Sequence, residues 1–197
     1  MANAPITERE RQAWEFAKDK HKDQVRKFIN KPYFDAHVQK VNGTVKQYTT
    51  DEDLLVAALL HDVCEDCYEN KWVGYSEIKK LFGKRVAEIV IELTSDGDEI
   101  DHRYDGSKTD YLTYKMLNMS EDALIVKLAD RLQNISDAFT ASEKFRNKYY
   151  QETSKIVRSL EEGRELNNIH QQLLNDIKAK LDNISSIFKI KRFDELI

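Results

Sequence analysis

The sequence predicts an all-α protein, and three observations carry that expectation. Helix breakers are scarce, with 6 Gly and 2 Pro in 197 residues, against roughly 7% and 5% in average proteins. The rest is rich in Leu, Ile, Lys, Glu, Asp and Ala, and most of these are residues that a helix accepts at little entropic cost. Apolar residues also return at steps of three and four along several segments, the period of one helix face.

The elements follow in order. Over 6–28, Thr7 stands three residues before Glu10 as the start of a capping box, and Ala13, Trp14, Phe16 and Ala17 keep helical spacing. Asn30-Lys31-Pro32-Tyr33 breaks this helix, because Pro disfavours helical backbone in the residue before it. A second helix carries His37 and Val41. Thr50-Asp51-Glu52-Asp53 caps a third, LLVAALLH, which is apolar nearly all round, as a central helix must be. His61 and Asp62 fall at its end. Residues 73–94 read as two short helices hinged at Gly83. Residues 95–108, polar with two glycines, read as a mobile loop of the kind that often carries function. A helix capped by Ser120 runs to Phe139 and buries Ala123, Leu124, Val126, Leu128, Ala129 and Leu132. Residues 142–188 form an amphipathic C-terminal half in which Leu166, Ile169, Leu173, Ile177, Leu181, Ile184 and Phe188 step by three or four. That stripe reads as an internal packing face ahead of a dimer seam.

Length and charge bound the function. At roughly 100–200 residues per domain, 1–197 is expected to be one domain with a helical extension from about 142, and two stacked enzyme domains do not fit. No stretch reaches the roughly 18–20 apolar residues of a membrane span, and MANAPITERERQAWEF lacks the apolar core of a signal peptide, so the expected location is cytoplasmic. Two cysteines exclude a disulfide-built scaffold. With 31 basic and 35 acidic residues, net charge −4, there is no electrostatic footprint for nucleic acid or an anionic membrane. The expected partner is a small molecule held in a local site, by a monomer or a homodimer.

Charge in apolar helices marks that site. His37, the pair His61-Asp62, and Asp130 within VKLADRLQN stand in separate apolar segments. A buried carboxylate costs several kcal/mol unless it is paired or metal-bound, and one shared divalent cation would satisfy all four. Two imidazoles and two carboxylates suit Mn²⁺, Fe²⁺ or Zn²⁺ better than Ca²⁺. Glu65 and Asp66 follow at once, and carboxylates at a helix C-terminus oppose the helix dipole, which disfavours a purely structural reading. Arg26 and Lys27, taken alone, read as a solvated helix face. Cys64 and Cys67 form C-x-x-C without a second cysteine pair, which argues against a zinc site. His21 reads as a helix-surface or pocket-rim residue, and His102 and His170 as solvated.

At AALLHDVCED (57–66) and LIVKLADRLQN (124–134), preceded by HKDQVRKFINKPYFDAH (21–37), the chain resembles the HD-domain hydrolases of the RelA/SpoT alarmone family over roughly 14–134. The resemblance extends to Leu93-Thr94. It implies an HD-type helical bundle with the metal between helices, His37, His61, Asp62 and Asp130 as ligands, and Mn²⁺ as the ion. It further implies Glu65 and Asp66 as the catalytic pair that orients or deprotonates water. Arg26 would then meet the nucleobase, Lys27 a phosphate and Asn134 the nucleoside, with Lys108 and Tyr149 as further substrate contacts. The activity implied is removal of the 3′-pyrophosphate of guanosine tetra- and pentaphosphate by a stand-alone small alarmone hydrolase, since a synthetase module would need a second domain. Three departures bear on this. Asp23 stands where the family has Gly, Val38 where Pro often follows the ligand His, and the segment 95–108 is acidic where a polyphosphate pocket calls for cations. The substrate alternatives are therefore NADPH or another nucleotide, and the alternative class is a nucleotide-binding partner protein without turnover.

Overall fold

A computed structural model describes residues 7–27 and 29–189. Ile6 and Phe28, the ends assigned above to the first helix, lie outside the described residues. The chain packs into two compact units, one formed by the residues up to Ser95 with Ser120–Ala129, the other by Asp96–Met119 and the residues from Asp130 on.

In the first unit, α1 (Glu8–Lys20) begins at Thr7, whose hydroxyl accepts the Glu10 N–H at 3.1 Å. Glu10 does not complete the capping box. Its carboxylate turns inward, meeting Lys46 Nζ at 2.6 Å and Asn42 Nδ2 at 3.2 Å. The helix stops at Lys20, short of the expected 28, because the chain beyond is drawn into a long-range pairing. His21 and Gln24 bond through their side chains at 2.7 Å, and Gln24 O accepts the Tyr33 N–H at 2.9 Å. A small antiparallel hairpin results, β1 (Val25–Arg26) against β2 (Lys31–Pro32), with Arg26 opposite Lys31. Pro32 fits this two-stranded edge, where the loss of one donor is tolerated.

Phe34–Val38 then forms a π-helical turn leading into α2 (Gln39–Val45). The expected second helix is thus present, but its first turn is widened at His37, and such π turns occur disproportionately at functional sites. The helix α3 (Glu52–Leu60) is capped by Asp51, which accepts from the N–H groups of Asp53 and Leu54. Residues Leu54 to Leu60 are all buried, so α3 is the central helix expected from its all-round apolar pattern. It packs against α1, α2 and α6. Asp62 stands at the start of a separate single turn, α4 (Val63–Asp66). Helices α5 (Lys71–Phe82) and α6 (Lys84–Leu93) meet at Gly83, whose φ of 92° needs glycine, as the hinge reading requires. The helix α9 (Glu121–Asp137) starts at Ser120, whose hydroxyl accepts the Ala123 N–H at 3.2 Å, and its apolar residues 123–126, 128 and 129 are buried.

In the second unit, the segment expected to be an irregular loop holds α7 (Gly97–Arg103), capped by Asp96 through the Glu99 N–H at 3.2 Å. Asp98 and Glu99 in its first turn favour helix there by complementing the dipole. It is followed by α8 (Lys108–Asn118). The amphipathic C-terminal half forms two helices, α10 (Glu143–Gly163) and α11 (Asn168–Phe188), with Asn167 capping the second. Leu166 precedes α11, whereas Leu173, Ile177, Leu181 and Ile184 are buried within the chain, as expected of an internal face. His170 is fully buried rather than solvated, because its Nδ1 accepts the Asn167 N–H at 3.3 Å in a reciprocal capping box. Arg131 and Glu152 form a buried ion pair at 2.6 Å, with the Arg131 guanidinium 4.8 Å from the Tyr149 ring centroid.

Candidate metal centre

Three of the four expected ligands converge in the first unit. The π turn brings buried His37 to the end of α3, where His61 and Asp62 follow one another. One donor atom from each of His37, His61 and Asp62 falls within a group spanning at most 4.8 Å. His61 Nε2 lies 3.3 Å from His37 Nε2 and 2.9 Å from Asp62 Oδ2, and His37 Nε2 lies 3.6 Å from the same oxygen. Both imidazoles are buried.

The donor set fits a cation. His61 Nδ1 is 2.8 Å from the Ala58 carbonyl, and because a carbonyl only accepts, this nitrogen carries the proton of the neutral ring. The lone pair on Nε2 then faces a carboxylate oxygen and a second imidazole nitrogen. Two imidazoles with a carboxylate make a mixed N/O set for a transition-metal ion.

The remaining site residues are distributed as follows. Glu65 and Asp66 are exposed on α4, one turn from Asp62 rather than at the end of α3. The Glu65 carboxylate accepts the Ser95 backbone N–H at 2.8 Å, so the Leu93-Thr94 motif marks a segment that anchors this acid. Arg26 is half-buried on β1, with its guanidinium 5.5 Å from the Tyr33 ring centroid, and Lys27 beside it is exposed. Asp130 and Asn134 belong to the second unit, where the Asn134 amide donates to Asp130 Oδ1 at 2.6 Å across one turn of α9. Residues four apart on a helix share a face, which allows this contact. Lys108 is exposed and opens α8 instead of lying in a loop. Tyr149 stacks on Phe145 at 5.7 Å. On the same helix, Arg146 Nε, Asn147 Oδ1 and Ser154 Oγ are buried without hydrogen-bond partners among the described residues, a polar face that no sequence motif announced.

Two further residues escaped the sequence reading. Tyr33 donates its hydroxyl to Asp62 Oδ2 at 2.6 Å, and Gln24 Nε2 donates to the Asp66 carbonyl at 3.2 Å. Tyr33 was visible as part of the Pro-Tyr motif, but its partner is 29 residues away. His21 is buried, not at a surface or rim, and lies against Gln24, Cys67 and Tyr33. Burial lowers its pKa below the ordinary histidine value. The Cys64 and Cys67 thiols are pushed up to about 11 and about 12, chiefly by burial, which suppresses the thiolate that redox chemistry needs.

The His21 shift has a consequence for stability. An unfolded histidine titrates at about 6.5, while buried His21 takes up its proton only at lower pH, so below that value the unfolded chain binds the extra proton first. Stability contributed by neutral His21 is therefore present above about pH 6.5 and is lost as the pH falls through it towards the folded value. The melting temperature of the native protein should drop more between pH 7 and pH 5 than that of His21→Gln. Equal drops would show that His21 does not titrate with unfolding.

Buried imidazoles and a carboxylate gathered between helices of an all-α frame define a class, the divalent-metal proteins whose ligands are a histidine and a His-Asp pair from separate elements. The HD domain model matches residues 13–165, and the chain belongs to the HD domain family. It is 33% identical over 166 residues to guanosine-3′,5′-bis(diphosphate) 3′-pyrophosphohydrolase MESH1 of Xenopus tropicalis, covering 76% of this chain and 83% of that protein. It is 35% identical over 150 residues, 75% of its length, to the guanosine-3′,5′-bis(diphosphate) 3′-pyrophosphohydrolase of Aquifex aeolicus, but spans only 20% of that longer protein. Among solved structures, that of a metazoan ortholog of SpoT described as hydrolysing ppGpp superposes with a TM-score of 0.72 at 28% identity, over 95% of this chain and 98% of that one. No helix among the described residues is long and apolar enough to cross a membrane.

Proposed function

We propose that the chain is a metal-dependent nucleotide pyrophosphohydrolase that removes the 3′-pyrophosphate of guanosine tetra- and pentaphosphate, giving GDP and GTP. The observation that carries this reading is the union of the His37–His61–Asp62 cluster with likeness to ppGpp hydrolases over nearly their whole length, 83% of the frog protein and 98% of the solved structure.

His37, His61 and Asp62, with Asp130 as the fourth ligand, would hold the ion, and Mn²⁺ is the one proposed. When bound, such a cation brings the pKa of a coordinated water towards neutrality and offsets phosphate charge. The chain's own residues do the rest. Glu65, fixed by the Ser95 N–H, and Asp66 orient the attacking water and accept its proton. Arg26 meets the guanine and Lys27 a phosphate, a division that follows from the flat guanidinium and the compact ammonium. Asn134 holds Asp130 and contacts the nucleoside, while Lys108 and Tyr149 supply further contacts. The chain is proposed to act as one hydrolase domain, as a cytoplasmic monomer or homodimer. The span of the family match, which takes in residues of both units, supports treating it as one domain.

The test is a substrate panel. Metal-stripped protein supplied with Mn²⁺ is expected to release pyrophosphate from guanosine tetraphosphate and to leave NADPH, GTP and deoxynucleotides intact. Phosphate release from NADPH instead would retain the metal chemistry and replace the substrate. Binding without turnover would make the chain a nucleotide-binding partner.

A further inference from the structure

The hairpin that carries Arg26 is fastened to the ligand-bearing segment through Tyr33. This residue follows β2 directly, and its backbone N–H bonds to Gln24 O at 2.9 Å. Its hydroxyl donates to Asp62 Oδ2 at 2.6 Å, the same oxygen that faces the Nε2 atoms of His61 and His37. That length is typical of a charge-assisted O–H···O⁻ bond, which fixes the rotation of the carboxylate. The ring also packs against two imidazoles, with centroids 5.3 Å from His21 and 5.2 Å from His37. The Arg26 guanidinium lies 5.5 Å from the ring centroid, in cation–π range.

We propose that Tyr33 is a positioning residue with two separable actions, its hydroxyl setting Asp62 for the metal and its ring holding Arg26 for the nucleotide. The second action rests on the hydrolase reading above; the first needs only the metal site. Because Tyr33 touches both Asp62 and Arg26, it ties the group that grips substrate to the group that grips the ion. A side chain that merely filled space would be replaced by Phe without effect.

Two readouts on the full chain separate these actions, namely the Mn²⁺ affinity by calorimetry without nucleotide, and steady-state kinetics on guanosine tetraphosphate at saturating Mn²⁺. Tyr33→Phe keeps the ring and loses the hydroxyl, so Mn²⁺ affinity should fall by about 10- to 100-fold, the usual effect of losing an outer-shell partner, with KM unchanged. Tyr33→Leu loses both, so the same fall in Mn²⁺ affinity should be joined by a rise in KM of about threefold, the scale of an exposed cation–π contact. Arg26→Ala should raise KM and leave Mn²⁺ affinity as it is. Thermal unfolding without metal checks that the variants are folded. Tyr33→Phe binding Mn²⁺ as tightly as the native protein would overturn the hydroxyl's action, and equal KM values for Phe and Leu would overturn the ring's. A native protein that binds Mn²⁺ but spares the tetraphosphate would contradict the hydrolase reading alone, and the calorimetry would still decide the hydroxyl's action.

Discussion

Asp62→Ala is expected to abolish both Mn²⁺ binding and nucleotide hydrolysis. The Asp62 Oδ2 atom is the carboxylate oxygen of the cluster, 2.9 Å from His61 Nε2 and 3.6 Å from His37 Nε2, so its loss leaves two imidazoles and the proposed Asp130 to hold a divalent ion. Removing an outer-shell partner costs about 10- to 100-fold in affinity or activity, and removing a ligand should exceed the top of that range. The substitution also removes the acceptor of the Tyr33 hydroxyl, which compounds the effect. Circular dichroism should show the helical content retained, since Asp62 makes no side-chain capping bond to α4. Calorimetry is the deciding measurement, and Mn²⁺ affinity equal to that of the native protein would remove Asp62 from the site.

Glu65→Gln separates chemistry from binding. The variant keeps an oxygen that can accept the Ser95 N–H, so the side chain should stay in place while losing its capacity to take a proton. Loss of a general base costs about 10²- to 10⁴-fold, and kcat should fall in that range with Mn²⁺ affinity and KM near native. Asp66 follows Glu65 on the same turn and is likewise exposed, so the double variant with Asp66→Asn should fall further. Normal turnover in Glu65→Gln would transfer the base function elsewhere, and a loss of Mn²⁺ affinity would make Glu65 a ligand support.

What could be seen in the sequence was what local chemistry dictates. The Thr7, Asp51 and Ser120 caps, the buried run Leu54–Leu60 of α3 and the Gly83 hinge each depend on residues within a few positions of one another. The adjacent His61 and Asp62 were legible for the same reason. What escaped depends on distant partners. The hairpin exists because Gln24 pairs with Tyr33, against a local preference for continuing α1. Glu10 left its capping box for Lys46 and Asn42. His21 and His170, read as surface residues, are buried because Gln24 and Asn167 satisfy their ring nitrogens. The π turn at His37 has no sequence signature in the apolar pattern, since it widens one turn without changing which residues are inside. Tyr33 was visible as a motif residue, but nothing near it in the chain named Asp62 as its partner.

The reaction proposed for this site is cleavage of the 3′-pyrophosphate from guanosine tetraphosphate with a divalent metal. The most direct measurement is product analysis after metal-stripped protein is given the tetraphosphate with and without Mn²⁺. GDP and pyrophosphate in equal amounts, formed only with the metal, is the predicted result. Release of single phosphates, or an unchanged tetraphosphate in the presence of Mn²⁺, would contradict it.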